Sequence, residues 1–220
     1  MSSGPIGIFG GTFNPIHYGH LRSALEIRER LGLAEVRLMP SARPPHRSAP
    51  DCSIAERLEM VRLAVAGEPG LACDDRETLR AGPSYSVDSI RELRQEVGPE
   101  TSLCLVMGAD ALLGLADWHQ WQLLTDYAHL VVIARPGWHF PSSGAVADWL
   151  QPLLCEQVDE LLGRPAGNVH LLQLRPLDIS STEIRELIAA GRSPRYLLPD
   201  PVWSRIRSAG LYGYNQAAQT

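Results

Sequence analysis

Gly10-Gly11-Thr12-Phe13-Asn14-Pro15-Ile16-His17-Tyr18-Gly19-His20 is the stretch on which the reading of this chain turns. An apolar run, Ile6 to Phe9, precedes it, and an amphipathic run begins at Leu21. The pattern predicts a strand, a glycine turn and a helix N-terminus that carries two histidines. Glycine has no Cβ, so backbone N–H groups there can come close to a ligand. A helix start adds unpaired N–H donors and the positive end of the dipole, which favour an anion. Histidines at i and i+3 share one face of the first turn, so both can address the same group. A glycine turn alone, or one histidine acting as a cap, would carry no such meaning. The combination with Thr12 and Pro15 points to phosphate.

Working outward, the rest of the chain is that of a soluble globular protein. Its 220 residues are within the range that α/β proteins fill with one domain, here 1–220. An apolar fraction of 45% and a charged fraction of 20% suit a sizeable core. The net charge of −5 argues against a general nucleic-acid binder, while leaving room for a local basic pocket. Cys52, Cys73, Cys104 and Cys155 are widely spaced and form no C-x-x-C pair, so neither zinc nor a disulfide framework is expected. The N-terminus lacks a basic region followed by an apolar one, and no apolar stretch approaches the roughly 20 residues of a membrane helix. A reducing cytoplasm, with no membrane partner, is the economical expectation.

Strand-like runs are Ile6–Phe9, Glu35–Met39, Leu71–Asp74, Leu103–Met107, Leu130–Ala134 and Val169–Leu174. Helical patterns lie between them: Leu21–Leu31 stopping at Gly32, Ile54–Ala66, Val87–Val97 stopping at Gly98, and a longer zone over Ala145–Leu162. Two further helices are expected at Thr182–Ala190 and Pro201–Ala209. Ser53 with Glu56, and Ser180 with Glu183, have the spacing of capping boxes. This alternation predicts a Rossmann-like, doubly wound parallel sheet with helices on both faces. Ligands bind such sheets at the carboxyl ends of the strands, near the switch in strand order. Pro40–Pro50 reads as a loop over that edge, Gly137–Gly144 as another loop, and the tail after Tyr214 as frayed.

Several phosphate chemistries are excluded by what is missing. The first turn lacks G-x-G-x-x-G, and the second strand ends in Leu38-Met39-Pro40 without an acidic residue. There is no G-K-[S/T] for a P-loop and no G-x-S-x-G elbow for a serine hydrolase. His17 and His20 have no obvious third and fourth ligand for zinc.

Gly10–His20 resembles the GGTFxPxHxGH signature of the nucleotidylyltransferase superfamily. Pro40-Ser41-Ala42-Arg43-Pro44-Pro45-His46-Arg47 is similar to the P-x-x-x-P-P-H-K loop of bacterial nicotinate mononucleotide adenylyltransferases. Arg80 to Ser89, Met107-Gly108-Ala109-Asp110 and Ile179 to Arg185 resemble that family's R-x-G-x-S-Y-[S/T]-x-D-T, M-G-A-D and I-S-S-T-x-I-R segments, in the family's order. The chain departs at two positions, with Arg47 for the usual lysine and Asn14 for the frequent aspartate. Arg47 keeps the charge but puts a planar fork in place of a point charge.

The resemblance implies adenylyl transfer: ATP, carrying Mg2+, and nicotinate mononucleotide give nicotinate adenine dinucleotide and pyrophosphate, in NAD biosynthesis. The mononucleotide's own phosphate attacks, so the protein needs no nucleophile, only alignment and charge stabilisation. His17, His20 and Arg185 are the expected catalytic residues, His20 foremost. With them, Phe9, Gly10, Gly11, Thr12, Gly108, Asp110, Ser180, Ser181 and Thr182 make up the expected ATP site. Gly11, Thr12, His46, Arg47, Tyr85, Ser86 and Trp118 make up the expected mononucleotide site, with Trp118 favoured over Trp121 for the ring. Asp110 serves either the ribose or the helix N-cap. No protein-held metal is expected; Mg2+ stays mainly on phosphates and water. His119, His129, His139 and His170 receive no role, and Phe13, Ile16, Trp138, Trp149 and Trp203 are read as packing.

Rival readings are the amide acceptor nicotinamide mononucleotide, a phosphopantetheine acceptor, and a nucleotide-binding sensor without turnover. The partners implied are small molecules, not nucleic acid. The sequence leaves open whether the protein is a homo-oligomer.

Overall fold

The computed structural model describes residues 4–43, 52–134, 137–175 and 177–215. His46, Arg47 and the tail from 216 lie outside the described residues.

In chain order the elements are β1 (Ile6–Gly11), α1 (Tyr18–Leu31), β2 (Glu35–Pro40), α2 (Ile54–Val65), β3 (Leu71–Cys73), α3 (Arg76–Leu79) and α4 (Ser86–Val97). There follow β4 (Leu103–Gly108), α5 (Ala109–Leu113), α6 (Leu124–Tyr127), β5 (His129–Ala134), α7 (Ala145–Leu150), α8 (Val158–Leu162), β6 (Val169–Gln173), α9 (Ser181–Ala189) and α10 (Asp200–Ala209). The six strands form one sheet in the order β3-β2-β1-β4-β5-β6. Every pairing is parallel, with Ile6 opposite Glu35 on one side and Leu103 on the other. The chain winds outward from β1 to β3, then crosses back and winds the other way from β4. The switch point therefore lies between β1 and β4, where Gly10-Gly11 and Gly108 end their strands.

The strands read as near-continuous apolar runs because both faces are covered. Alternate residues serve different cores. Cys104 and Val106 of β4 pack with α1, α2, α9 and α10, whereas Leu103, Leu105 and Met107 pack with α4, α5 and α6. Each fully buried aliphatic side chain contributes about 1.5–3 kcal/mol, so both faces anchor the central strands.

Helix ends follow the local chemistry. α1 buries Leu21, Ala24, Ile27 and Leu31, and stops at Gly32, which takes the left-handed conformation at φ 61°. The Ser53 Oγ accepts from the Glu56 N–H at 3.2 Å, and the Ser180 Oγ accepts from the Glu183 N–H at 3.1 Å. Two expectations need correction. α1 begins three residues before Leu21, so His20 lies inside the helix and His17 is its N-cap. The zone from Ala145 to Leu162 is not one helix: Pro152 permits only a short 3-10 turn, Gln151–Leu153, after α7. Leu154 then pairs with Val169 before α8 begins.

Candidate functional site

A cavity of about 520 Å³ opens at the switch point. It is lined by Gly10, Gly11 and Thr12 from the end of β1, Met107 and Gly108 from β4, and Asp110 from α5. Its far wall is Ser84, Tyr85 and Ser86 at the start of α4, facing Asp117, Trp118 and His119. Two glycines here are explained by space rather than by packing. A Cβ on Gly10 or Gly108 would meet no protein atom within 4 Å, and neither residue has a positive φ. The room above both strand ends is what a ligand needs for close approach. Gly11 and Gly19 differ, since a Cβ there would strike the Phe13 ring at 2.8 Å and the His17 ring at 3.0 Å.

Beside the cavity, the β1–α1 loop is fastened from behind. Arg185 Nη1 donates to the Asn14 carbonyl at 2.8 Å, and the Ser181 hydroxyl donates to the Pro15 carbonyl at 2.9 Å. The Tyr212 hydroxyl donates to Asn14 Oδ1 at 2.8 Å. Arg185 also reaches the Thr182 hydroxyl at 3.4 Å. The N-terminus of α9 is thus docked against the start of α1, and two helix starts converge on one place. Phe13 and Ile16 are fully buried beneath the loop.

His17 and His20 are stacked, with ring centroids 3.7 Å apart and planes inclined by 30°. The Phe13 ring meets His20 edge-on at 5.0 Å, and Phe9 does so at 6.4 Å. This apolar setting resists charge. Burial lowers His17 to about 4. Burial, and then the neighbouring His17, lower His20 to about 3. Both rings are therefore neutral at pH 7. Nδ1 of each is buried without a hydrogen-bond partner.

The structure brings Gly10, Gly11, Thr12, Gly108, Asp110, Tyr85, Ser86 and Trp118 to one cavity. Phe9, His17, His20, Ser180, Ser181, Thr182 and Arg185 flank its β1 edge rather than line it. Asp110 is exposed in the first turn of α5, where Gly108 holds the N-cap position, so its carboxylate does not cap. Trp121 packs edge-on against Trp149 at 6.2 Å, away from the cavity, whereas Trp118 lines it.

His119, to which the sequence assigns no role, belongs to the site. It lines the cavity, and its ring lies 4.4 Å from the Tyr85 ring at 31°. Only its place beside Trp118 could have pointed to it. Ser41, from the loop expected over the strand edge, also lines the cavity, as does Glu77, which carries no sequence signal. The Ser89 hydroxyl donates to Glu77 Oε1 at 3.0 Å, and burial pushes the Glu77 carboxyl up. His129 is fully buried and takes no part: Nδ1 accepts from the Asn168 N–H and Nε2 meets the Arg164 carbonyl. His170 Nδ1 meets the Cys155 carbonyl at 3.0 Å.

Among the described residues no cluster of three or more His, Cys, Asp or Glu could hold a metal ion. The donor set at the β1 edge consists of N–H groups, imidazoles, hydroxyls and a guanidinium. It suits anions rather than a hard cation.

A family model described as cytidylyltransferase-like matches residues 8–187. The chain belongs to the cytidylyltransferase-like family. Within it, a protein of Aeromonas hydrophila named "Probable nicotinate-nucleotide adenylyltransferase" is 51% identical over 212 residues, covering 96% of this chain and 99% of the relative. A protein of the same name from Hahella chejuensis is 49% identical over 210 residues, covering 95% and 96%. Among solved structures, Plasmodium falciparum nicotinic acid mononucleotide adenylyltransferase complexed with NaAD superposes with a TM-score of 0.69. That match covers 96% of this chain and 98% of the other at 16% identity, a level that speaks for the fold. No helix of this cytidylyltransferase-like protein is long and apolar enough to cross a membrane, among the described residues.

Proposed function

We propose that the protein is a nucleotidyltransferase that joins nicotinate mononucleotide to ATP, giving nicotinate adenine dinucleotide and pyrophosphate for NAD biosynthesis. The observation that carries this reading is one cavity with two unlike ends. Its β1 edge offers neutral imidazoles and helix N-termini for phosphate, and its far wall offers aromatic rings for a planar acceptor. Relatives of that name at about half identity over nearly the full chain support it.

In this reading a phosphate oxygen of the mononucleotide attacks the α-phosphorus of ATP. The bond from that phosphorus to the oxygen bridging to the β-phosphate breaks, and pyrophosphate leaves with the electron pair. Nε2 of His17 and His20 donates to the oxygens that gain charge in the transition state. Because the rings start neutral and desolvated, an arriving anion raises their proton affinity and strengthens that donation. Ser180, Ser181, Thr182 and Arg185, at the start of α9, take the outer phosphates. Gly108 and Asp110 face the adenosine, and Asp110 accepts from ribose hydroxyls.

The pyridine ring lies against Trp118 and Tyr85. Its carboxylate faces the start of α4 at Ser86, the positive end of that helix. Mg2+ enters with ATP as part of the substrate, held on phosphate oxygens and water. We assign His46 and Arg47 to the mononucleotide on their motif alone. The cytoplasm is the proposed compartment, supported by four cysteines that are all free thiols. Small molecules are the proposed partners, with no nucleic acid.

The test is purified protein with MgATP and each acceptor in turn, following pyrophosphate release. Turnover with nicotinate mononucleotide is expected. No pyrophosphate with any acceptor would sink the enzyme reading, and a preference for the amide would sink the acceptor assignment.

A further inference from the structure

Among the described residues Arg57 is the largest fully buried side chain, at 1% exposure. It lies on α2, and no carboxylate forms an ion pair with it among the described residues. Its Nη donors go instead to backbone carbonyls just past two strand ends, while Nε is buried without a hydrogen-bond partner. Nη1 donates to the Thr12 carbonyl at 2.7 Å and to the Ser41 carbonyl at 2.8 Å, and Nη2 reaches the Ala42 carbonyl at 3.4 Å. Burying a guanidinium is costly unless its surroundings require it there. Core packing could be done by a leucine or methionine of similar length, so the charge needs its own explanation.

The carbonyls supply one. Thr12 and Ser41 both line the cavity. In a trans peptide C=O and N–H point in opposite directions. Drawing the Thr12 oxygen back onto Arg57 removes a partial negative charge from the anion site and turns the following N–H away from the guanidinium. The Ser41 N–H in turn donates to the Gly11 carbonyl at 2.9 Å, which ties the ends of β1 and β2 together. Beyond Ser41 the tie continues: Arg43 and Ser84 exchange bonds, the Ser84 N–H to the Arg43 carbonyl and the Arg43 N–H to the Ser84 hydroxyl, each at 3.1 Å. Ser84 adjoins Tyr85 at the ring wall. Arg57 is thus the hub through which the phosphate edge and the ring wall are held in one arrangement.

We propose that Arg57 is a positioning residue for both substrates: without touching either, it keeps carbonyl oxygens out of the phosphate site and fixes the spacing between the cavity's two ends. This rests on the adenylyl-transfer reading. Because one side chain holds both ends, its loss should weaken both substrates together.

The experiment compares Arg57→Met and Arg57→Lys with wild type, below the melting transition and with folding confirmed by circular dichroism. Steady-state KM is measured for ATP and for nicotinate mononucleotide, and ATP binding without acceptor is titrated by calorimetry. R57M is expected to raise both KM values about tenfold and to weaken ATP binding similarly. R57K, which keeps the charge but can serve fewer carbonyls, should fall between R57M and wild type. A lowered melting temperature with both KM values and ATP affinity within twofold of wild type would mean a merely structural arginine and would overturn the proposal. So would a rise in one KM alone. If R57M does not fold, R57K decides by the same readings. If wild type itself releases no pyrophosphate, the functional reading fails, and ATP titration of the variants still judges Arg57.

Discussion

The two ends of the cavity are built in opposite ways. At the β1 edge, the loop from Thr12 to Pro15 is held by donors from three distant parts of the chain: Arg57 of α2, Ser181 and Arg185 of α9, and Tyr212 near the C-terminus. At the far wall, Tyr85, Trp118 and His119 are half-buried or exposed, and their only ring contact with each other is Tyr85 on His119. The first is a preorganised electrostatic site in which little reorganisation is left to do when charge develops. The second is a more open surface, suited to holding a planar ring through area and stacking. Under the proposed function, chemistry and choice of acceptor fall to different ends of one cavity.

Acid should disturb the β1 edge more than any other treatment. His17 and His20 sit well below the ordinary histidine value of 6.5, at about 4 and about 3. Unfolded chain takes up protons near pH 6.5, while folded chain resists until about 4. Stability is therefore full above pH 6.5 and declines as pH falls through that window. At about 1.4 kcal/mol per unit, the loss should reach at least about 3 kcal/mol by pH 4. Urea melts across the range should show it, and a His17→Asn, His20→Asn double variant should give a flatter profile. An equally steep profile in that variant would place the burden on other groups.

His20→Ala should lower kcat by at least about two orders of magnitude, or about 2.7 kcal/mol, as for other phosphate donors aimed at a transition state. Stopped-time pyrophosphate assays on folded variant would refute the role if kcat stayed near normal. Trp118→Ala probes the other end. Losing one stacking face should raise the KM for the mononucleotide about tenfold, or about 1.4 kcal/mol, and leave kcat and the KM for ATP within about twofold. A comparable rise for ATP would erase the division of labour. The smallest effect belongs to the α9 cap. Ser180→Ala should cost about 1 kcal/mol in chemical denaturation, and no change would show the cap bond at 3.1 Å to be dispensable.

Much of this was legible in the sequence. All six strands were marked by apolar β runs, because strands covered on both faces are mostly apolar, with Arg37 in β2 and His170 in β6 as interruptions. The converging helix starts were visible through Gly10–His20 and the Ser180 capping box. The stretch between β4 and β5 was not, since α5, α6 and two 3-10 turns are each too short for a helical period to declare itself. Arg57 was hidden for another reason. In α2 it reads as one more polar residue of an amphipathic helix, and only carbonyls brought up from Thr12 and Ser41 give it a reason to be buried. Tyr212 likewise meets Asn14 across 198 positions of chain, a pairing no local pattern can encode.

The crossover from β4 to β5 has a consequence for evolvability. Gly114, Asp117, Trp118 and His119 all reach the cavity from one short contiguous segment. The strands at either end are locked in register, Cys104 opposite His129 and Gly108 opposite Ile133. Between those endpoints Leu112, Leu115 and Leu124 anchor the segment in the core, which leaves the residues that face the cavity as the ones free to change. Under the proposed function, new acceptors would be sampled by changing those positions one by one, with the β1 edge left as it is.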